Sequence, residues 1–374
     1  MNNPAGSEAD RKEHEKLYVD IAIKNEMLTF DQIADARDIQ FKIQELGINP
    51  KHLAEILVEK GYLELSQDEK IRKHIEKLRR ATRIKGYTLL KKLGQGSMGT
   101  VYLATQDSLD RMVAVKVLAP FLNKNEHFVS RFIKEAKILA RLNHPNIVQC
   151  IDVGKSENQY YLAMEFCDGP TVLEVLKRGG SMALERATLI ALQIARALEH
   201  AYEHSIIHRD IKPDNIMMTP GGVAKLCDLG LVKDLGNSAG STDEGSALGT
   251  PNYISPEQAR GEENVDHRTD IYSLGASFYH MVTGRVPFES SNPAVVMVSH
   301  INDMPIAPKD RNPAIDNETS RIIMKMLRKN PADRHQSPTE ILRELERLYA
   351  KRTGEPAPES DPVLQIRARK KRRR

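Results

Sequence analysis

Apolar positions along the chain change period near residue 87. From Lys16 to about Arg80 they recur at helical spacing, with an internal repeat. Ile21-Ala22-Ile23 through Thr29-Phe30-Asp31-Gln32 lies over Ile56-Leu57-Val58 through Glu64-Leu65-Ser66-Gln67 at an offset of 35 residues, which aligns Gln32 with Gln67. Each copy predicts a short helix, a turn and a capped second helix, with Thr29 or Asp31 and Ser66 as caps. From Tyr87 the apolar residues alternate or are β-branched. Tyr87 to Leu93, Thr100 to Ala104 and Met112 to Leu118 predict a hairpin and a third strand. A helix from about Glu126 to Leu142, stopped by Asn143-His144-Pro145-Asn146, precedes two more strands, Val148 to Val153 and Tyr160 to Phe166. Beyond Asp168-Gly169-Pro170 the pattern is mostly helical up to Tyr349. In the most apolar long segment, Ala183 to Ala201, charges interrupt the apolar residues at helical spacing, which predicts a core-facing helix.

Composition narrows the class. The chain has 374 residues, 40% hydrophobic and 28% charged, with no tryptophan and three cysteines, Cys150, Cys167 and Cys227. Cysteines so few and far apart argue against a disulfide framework or a zinc site and fit a reducing, cytoplasmic setting. No run approaches the roughly 18 apolar residues of a membrane span, and the polar start lacks the apolar core of a signal peptide. The net charge of +4 conceals an asymmetry. Seven basic residues lie in the last eight positions, Arg367 to Arg374; removing them leaves −3. The body is mildly acidic and the basicity sits in a tail.

Four stretches carry candidate chemistry. His208-Arg209-Asp210-Ile211-Lys212-Pro213-Asp214-Asn215 puts a carboxylate, an ammonium and a carboxamide within a few positions, and Pro213 keeps it out of a helix interior. Such a set suits phosphoryl transfer: a base for a hydroxyl proton, a cation for the transferred group, an oxygen for a metal ion. Gly94-Gln95-Gly96-Ser97-Met98-Gly99 lies between two predicted strands. Its glycines therefore top a hairpin and do not open a dinucleotide-binding helix. Backbone amides there can approach phosphates, although a plain glycine-rich turn reads the same way. Lys116 interrupts the apolar Val113-Ala114-Val115, and a buried ammonium needs a partner, for which Glu135 is the natural choice. Asp228, eighteen residues past Asp210, ends an apolar strand and can face Asn215 across a magnesium ion. Between Val232 and Leu248 a polar stretch carries Ser238, Ser241, Thr242 and Ser246, which are loop hydroxyls or phosphorylation sites.

In this order, the motifs of residues 87 to about 349 resemble a eukaryotic-type (Hanks-type) serine/threonine protein kinase domain in its bacterial form. The resemblance implies an α+β, bilobal protein kinase fold with a five-stranded antiparallel N-lobe, one N-lobe helix and a mainly helical C-lobe. Residue by residue, Gly94, Gly96, Gly99 and Val101 resemble the nucleotide-covering loop. Lys116 and Glu135 resemble the phosphate-binding lysine and its helix partner, Asp210 the catalytic base and Lys212 the γ-phosphate lysine. Asn215 and Asp228 resemble the magnesium ligands. Lys212 with Thr250 resembles the serine/threonine-specific pattern, Glu257 the partner of a late arginine (Arg334), and Asp270 the buried anchor of the catalytic loop. Arg209 resembles the arginine that receives an activation-loop phosphate. For the adenine pocket the resemblance implies Leu93, Val101, Ala114, Val148 and Met217 around the base, Met164 as gatekeeper, and the backbones of Glu165 and Cys167 at its edge. Two departures stand out: Leu229 in place of the usual phenylalanine, and Ile254 before Ser-Pro-Glu.

The expected domains are a disordered leader (1–14), a small all-α module (15–80), the kinase domain (87–349, with lobes 87–168 and 169–349) and a disordered basic tail (350–374). The stretch Leu53 to Gln67 resembles small helical modules at the N-termini of some bacterial secretion ATPases and signalling proteins. The expected function is that of a non-specific serine/threonine protein kinase in signal transduction, using ATP and Mg2+ and regulated by activation-loop phosphorylation. The alternative is a pseudokinase scaffold that binds partners through residues 15 to 80. Expected partners are ATP, protein substrates with Ser or Thr, and a second copy of the chain in trans autophosphorylation or a homodimer. The basic tail is expected to meet a nucleic acid or a membrane surface, or to remain solvated.

Overall fold

The computed structural model describes residues 15–45 (without 16–17, 20, 24 and 26), 51–81, 84–96, 98–228 and 251–358. Leu229, Ser238, Ser241, Thr242, Ser246, Thr250 and the basic cluster of residues 367–374 lie outside the described residues. The chain divides into two compact units, residues 1–85 and 86–374.

The first unit contains α1 (Phe30–Glu45), α2 (Leu53–Glu59) and α3 (Leu65–Ala81), preceded by helical residues between 18 and 23. The 35-residue repeat is structural as well as sequential. Tyr18, Val19, Ile21, Ala22, Leu28 and Ala36 are buried, and so are their counterparts Leu53, Ala54, Ile56, Leu57, Leu63 and Ile71, all in one cluster. Backbone bonds repeat at the same offset: Asn25 N–H to Ile21 O and Met27 N–H to Ala22 O in one copy, Lys60 N–H to Ile56 O and Tyr62 N–H to Leu57 O in the other. Gln32 and Gln67 do the same job. Each side-chain oxygen accepts the backbone N–H three residues earlier, from Thr29 and Glu64, at 2.9 Å. Thr29 returns the bond from Gln32 N–H, so Thr29 and not Asp31 caps α1. Ser66 is not a cap, because α3 begins at Leu65, and its hydroxyl donates to the Glu64 carboxylate.

The second unit opens with an antiparallel sheet of order β1-β2-β3-β5-β4, made of β1 (Tyr87–Gly96), β2 (Gly99–Gln106), β3 (Arg111–Leu118), β4 (Cys150–Ser156) and β5 (Gln159–Glu165). Helix α4 (Glu126–Leu139), capped by Asn125, packs its buried Phe132, Glu135, Ala136 and Leu139 inward. It ends three residues before the expected Leu142. Strand β4 starts two residues later than Val148, because Val148 N–H donates to Leu226 O and Ile147 bridges Leu226 in parallel. Residues 147–148 thus stitch the first lobe to the second.

The helical lobe comprises α5 (Val172–Gly179), α6 (Leu184–Glu203), the hairpin β6 (Ile216–Met218) and β7 (Ala224–Leu226), α7 (Pro256–Ala259), α8 (Arg268–Thr283), α9 (Pro293–Asn302), α10 (Pro308–Arg311), α11 (Asn317–Met326) and α12 (Pro338–Thr353). α8 is buried almost all round, the mark of a central helix. Gly275 permits this, since a Cβ there would lie 2.6 Å from Met326 Cβ. α12 runs four residues past Tyr349 and stops at Gly354, whose φ of 72° suits glycine. The start of the stretch expected to be a disordered tail, 350–358, is partly pinned. Ala357 packs on the core, and Pro358 O accepts from Arg196 Nη1 at 2.7 Å.

Candidate active site

The stretch from His208 to Asn215 is held from below. Asp270, near the start of α8, accepts the backbone N–H of His208 at 2.7 Å and of Arg209 at 2.8 Å. Arg209 adopts φ 65°, a conformation costly for a residue with a Cβ. Its carbonyl accepts from Gln258 Nε2 at 2.9 Å. Gln258 was not expected from the sequence; its only signal there is the capping box Ser255 and Gln258 of α7. Burial pushes the Asp270 carboxyl up to about 7, against its two N–H donors. Burial also lowers His208 to about 4, so its ring is neutral. Asp210 N–H points to His208 Nδ1 (3.3 Å) and the opposite nitrogen, Nε2, faces Cys227 O (3.3 Å), so the buried ring bridges the loop to the segment after β7.

Above this foundation the functional groups converge. Lys212 Nζ lies 2.9 Å from Asp210 Oδ2, and Asn215 Nδ2 donates to the same oxygen at 3.0 Å and to Asp210 O at 2.9 Å. The 3-10 turn Pro213–Asn215 sets this geometry, since proline at its first position fixes φ where no N–H is required. Cys227 N–H donates to Asn215 O, which draws Asp228 toward the loop. Burial pushes the Cys227 thiol well above its usual value, so it sits as a small protonated hydrophobe.

The opposite wall comes from the sheet. The β2–β3 register pairs Val101 with Lys116, and the β3–β5 register pairs Ala114 with Met164. Because side chains alternate, Val101, Ala114, Lys116 and Met164 share one face. Lys116 Nζ is 2.9 Å from Asp228 Oδ1 and 3.5 Å from Glu135 Oε1. Burial alone would push the ammonium down; Asp228 and Glu135 outweigh it and raise its pKa. Lys116 in turn holds Asp228 below the usual carboxylate range, whereas burial raises Glu135. Asp228 carries φ 51°, a second strained non-glycine in the site.

Glycines of the β1–β2 hairpin divide into two kinds. A Cβ on Gly99 would lie 2.0 Å from Val117 O, so packing demands glycine there. At Gly94 and Gly96 it would meet nothing within 4 Å. Of the other residues expected around an adenine, Val148 and Cys167 are buried, Met217 is half-buried and Leu93 is exposed. Glu165 N–H donates to Gln149 O, so a backbone bond from Glu165 to a base has to use its carbonyl; its carboxylate pairs with Lys225 Nζ at 2.9 Å.

Glu257 and Arg334 form a buried bidentate pair, 2.7 Å on each side. Arg334 is 2% exposed, and its remaining N–H groups reach the carbonyls of Arg328, Arg268 and Lys329.

Similar curated proteins include a probable serine/threonine-protein kinase of Clostridium perfringens, 42% identical over 262 residues, which span 70% of this chain and 38% of that protein. Another is the serine/threonine-protein kinase PknB of Mycobacterium leprae, 38% identical over 276 residues, 73% of this chain and 44% of that protein. The chain thus spans less than half the length of these relatives. Among solved structures, the Mycobacterium tuberculosis PknI kinase domain superposes with a TM-score of 0.56 at 26% identity, covering 72% of this chain and 98% of that one. Residues 87–345 match the protein kinase domain family. Both the match and the site geometry fall within the second compact unit, and on them the chain belongs to the protein kinase family.

Proposed function

We propose that residues 87–345 transfer the γ-phosphoryl group of ATP to serine or threonine hydroxyls of protein substrates. The observation that carries this reading is the convergence of Lys116, Asp228 and Glu135 on one side with Asp210, Lys212 and Asn215 on the other. In the step, the substrate hydroxyl oxygen bonds to the γ-phosphorus as the bond to the β–γ bridging oxygen breaks. The hydroxyl proton passes to Asp210, and ADP leaves with the electron pair of the broken bond. Lys212, already 2.9 Å from Asp210 Oδ2, offsets charge on the phosphoryl oxygens. Lys116 holds the α- and β-phosphates, and the open space over Gly94 and Gly96 lets backbone amides descend on them.

The donors fit a hard divalent cation: the Asn215 amide nitrogen is engaged by Asp210, so its oxygen is the atom left to ligate, and Asp228 stays ionised beside Lys116. Asn215 and Asp228 would hold Mg2+, which would supply positive charge to offset that of the nucleotide phosphates. Among the described residues no group of three or more His, Cys, Asp or Glu side chains could hold a metal ion.

Serine/threonine specificity follows the names of the relatives and the presence of both Lys212 and Thr250 in the sequence, the pattern that resembles serine/threonine kinases. Ser238, Ser241, Thr242 and Ser246 are the proposed regulatory hydroxyls and Arg209 the receiver of their phosphate. Autophosphorylation in trans, an anionic surface as partner of the Arg367 to Arg374 cluster, and a cytoplasmic location complete the proposal. Among the described residues no helix is long and apolar enough to cross a membrane. The test is transfer of radiolabelled phosphate by the purified chain. Asp210→Asn is expected to keep nucleotide binding while transfer falls at least about a hundredfold. Transfer by that variant near the wild-type rate would remove Asp210 from the mechanism. No transfer by the wild type with Mg2+, Mn2+ or other divalent ions would favour the scaffold alternative.

A further inference from the structure

Lys225 carries an ammonium that the transfer step leaves unused. It lies in β7 between Ala224 and Leu226, which are buried and turn to the opposite face, and in the β6–β7 register it pairs with Met217. Paired residues share a face, so Lys225 stands beside a residue expected around an adenine. Its Nζ is 2.9 Å from each oxygen of the Glu165 carboxylate, 60 residues earlier at the end of β5. The two side chains are 14% and 33% exposed, so water competes only in part for this pair between the sheet lobe and the helical lobe. The lobes are already tied one residue away by the backbone bond from Val148 N–H to Leu226 O, which does not depend on the side chain at 225.

The Glu165 carboxylate has a second task. Glu165 N–H donates to Gln149 O at 2.9 Å. In a regular hydrogen-bonded pair of antiparallel strands the two residues exchange both bonds, and Gln149 N–H would return to Glu165 O. Here Gln149 N–H points to Glu165 Oε2 instead, at 3.3 Å. The side-chain oxygen stands in for the backbone carbonyl, and Glu165 O is released from that exchange at the point from which a backbone bond to the base has to come. The substitution lasts only while the carboxylate is held over Gln149. Lys225, within 2.9 Å of both its oxygens, is the group that holds it.

We propose that Lys225 is a positioning residue for base recognition: it anchors the Glu165 carboxylate on Gln149 N–H and so keeps Glu165 O available to the 6-amino group, the one N–H donor of the adenine ring. The inference rests on the ATP reading given above. It concerns how the base is bound and not the transfer step, so the two are tested by different measurements. Without the ammonium the carboxylate turns to solvent, Gln149 N–H returns to Glu165 O, and the amino group of the base has to compete for that carbonyl.

Isothermal titration calorimetry of the full chain with adenosine and with purine riboside, which differs only in lacking the 6-amino group, tests this without phosphates or metal. The wild type is expected to bind adenosine about three- to tenfold more tightly, the worth of one net hydrogen bond. Lys225→Met should lower adenosine affinity at least about threefold and leave purine riboside within about 1.5-fold. Lys225→Gln carries the same expectation if circular dichroism shows the methionine variant unfolded. No loss, or an equal loss for both nucleosides such as a merely structural lysine would give, overturns the proposal. The reversed pair, Glu165→Lys with Lys225→Glu, re-forms an ion pair but leaves no acceptor at residue 165 for Gln149 N–H, so adenosine should stay as weak as in Lys225→Met; recovery would overturn the acceptor role of the carboxylate. A wild type that binds neither nucleoside overturns the ATP reading and this inference together, whereas equal binding of both overturns this inference and leaves the transfer reading standing.

Discussion

Two buried clusters of charge in the kinase unit look alike in sequence and differ in construction. Arg334 and Glu257 are sealed: two bonds of 2.7 Å join them, every guanidinium N–H has an acceptor, and Thr269 Oγ1 donates to Glu257 at 2.6 Å. Lys116 is shared between two carboxylates at unequal distances, 2.9 Å to Asp228 and 3.5 Å to Glu135. A sealed pair of this kind fixes the position of α7 against α8 and the loop after α11. The shared lysine keeps positive charge ready for a further anion. A buried polar network that is fully satisfied fixes one arrangement of its neighbours, and one that is only partly satisfied costs more to bury.

The contrast can be broken most severely at the sealed pair. Arg334→Met leaves Glu257 charged and buried without its partner, and is expected to cost about 3–5 kcal/mol in urea unfolding. A loss below about 1 kcal/mol would show that solvent reaches Glu257. Lys116→Met should do the reverse, lowering phosphate transfer at least about a hundredfold, worth ~2.7 kcal/mol of activation energy, with the unfolding midpoint nearly unchanged. If the midpoint falls as far as in Arg334→Met, the two clusters are not different in kind.

A smaller effect separates the two kinds of glycine. Gly99→Ala collides with Val117 O and should destabilise the unit by about 1–3 kcal/mol. Gly94→Ala should leave stability within about 0.5 kcal/mol of wild type while raising the KM for ATP. Equal stability losses at both positions would mean that Gly94 is structural after all.

The foundation of the catalytic loop yields a pH prediction with opposing signs. Asp270 is raised from 3.8 to about 7 in the fold, so its stabilisation is complete below pH 4 and is lost as pH rises toward 7. His208 is lowered from 6.5 to about 4, so its contribution is complete above pH 6.5 and is lost as pH falls toward 4. The two nearly offset each other. His208→Gln should unmask the Asp270 trend, giving stability that declines more steeply than wild type between pH 4 and 7 in urea titrations. An unchanged slope would place the titration elsewhere.

Much of the candidate site was legible because its chemistry is local. His208 to Asn215 carries a carboxylate, an ammonium and a carboxamide on one short stretch, and the placing of Pro213 announces the turn that gathers them. The partner of Lys116 was legible in part. Glu135 follows from the need to neutralise a strand lysine, but the closer carboxylate is Asp228, 112 residues away. The capping box marks Gln258 only as part of a helix start; its hydrogen bond to Arg209 O was not legible, since it depends on where α7 packs. The same holds for the late start of β4, because Val148 is captured by Leu226 from the other lobe. In the first unit the repeat was legible, but the choice of Thr29 over Asp31 as cap depended on Gln32 returning a bond to Thr29 N–H.

By itself the sequence determined the periods, and through them which segments are helices and strands, where glycine and proline interrupt them, and which side chains have the chemistry for phosphoryl transfer. These are properties of neighbours along the chain, fixed by backbone sterics and by side-chain polarity. Only the tertiary structure decided how Lys116 divides itself between Asp228 and Glu135, what holds Arg209 in a strained conformation, and which glycines face protein and which face open space. Those outcomes depend on the separations of groups far apart in sequence, and close packing sets such distances to within a few tenths of an ångström.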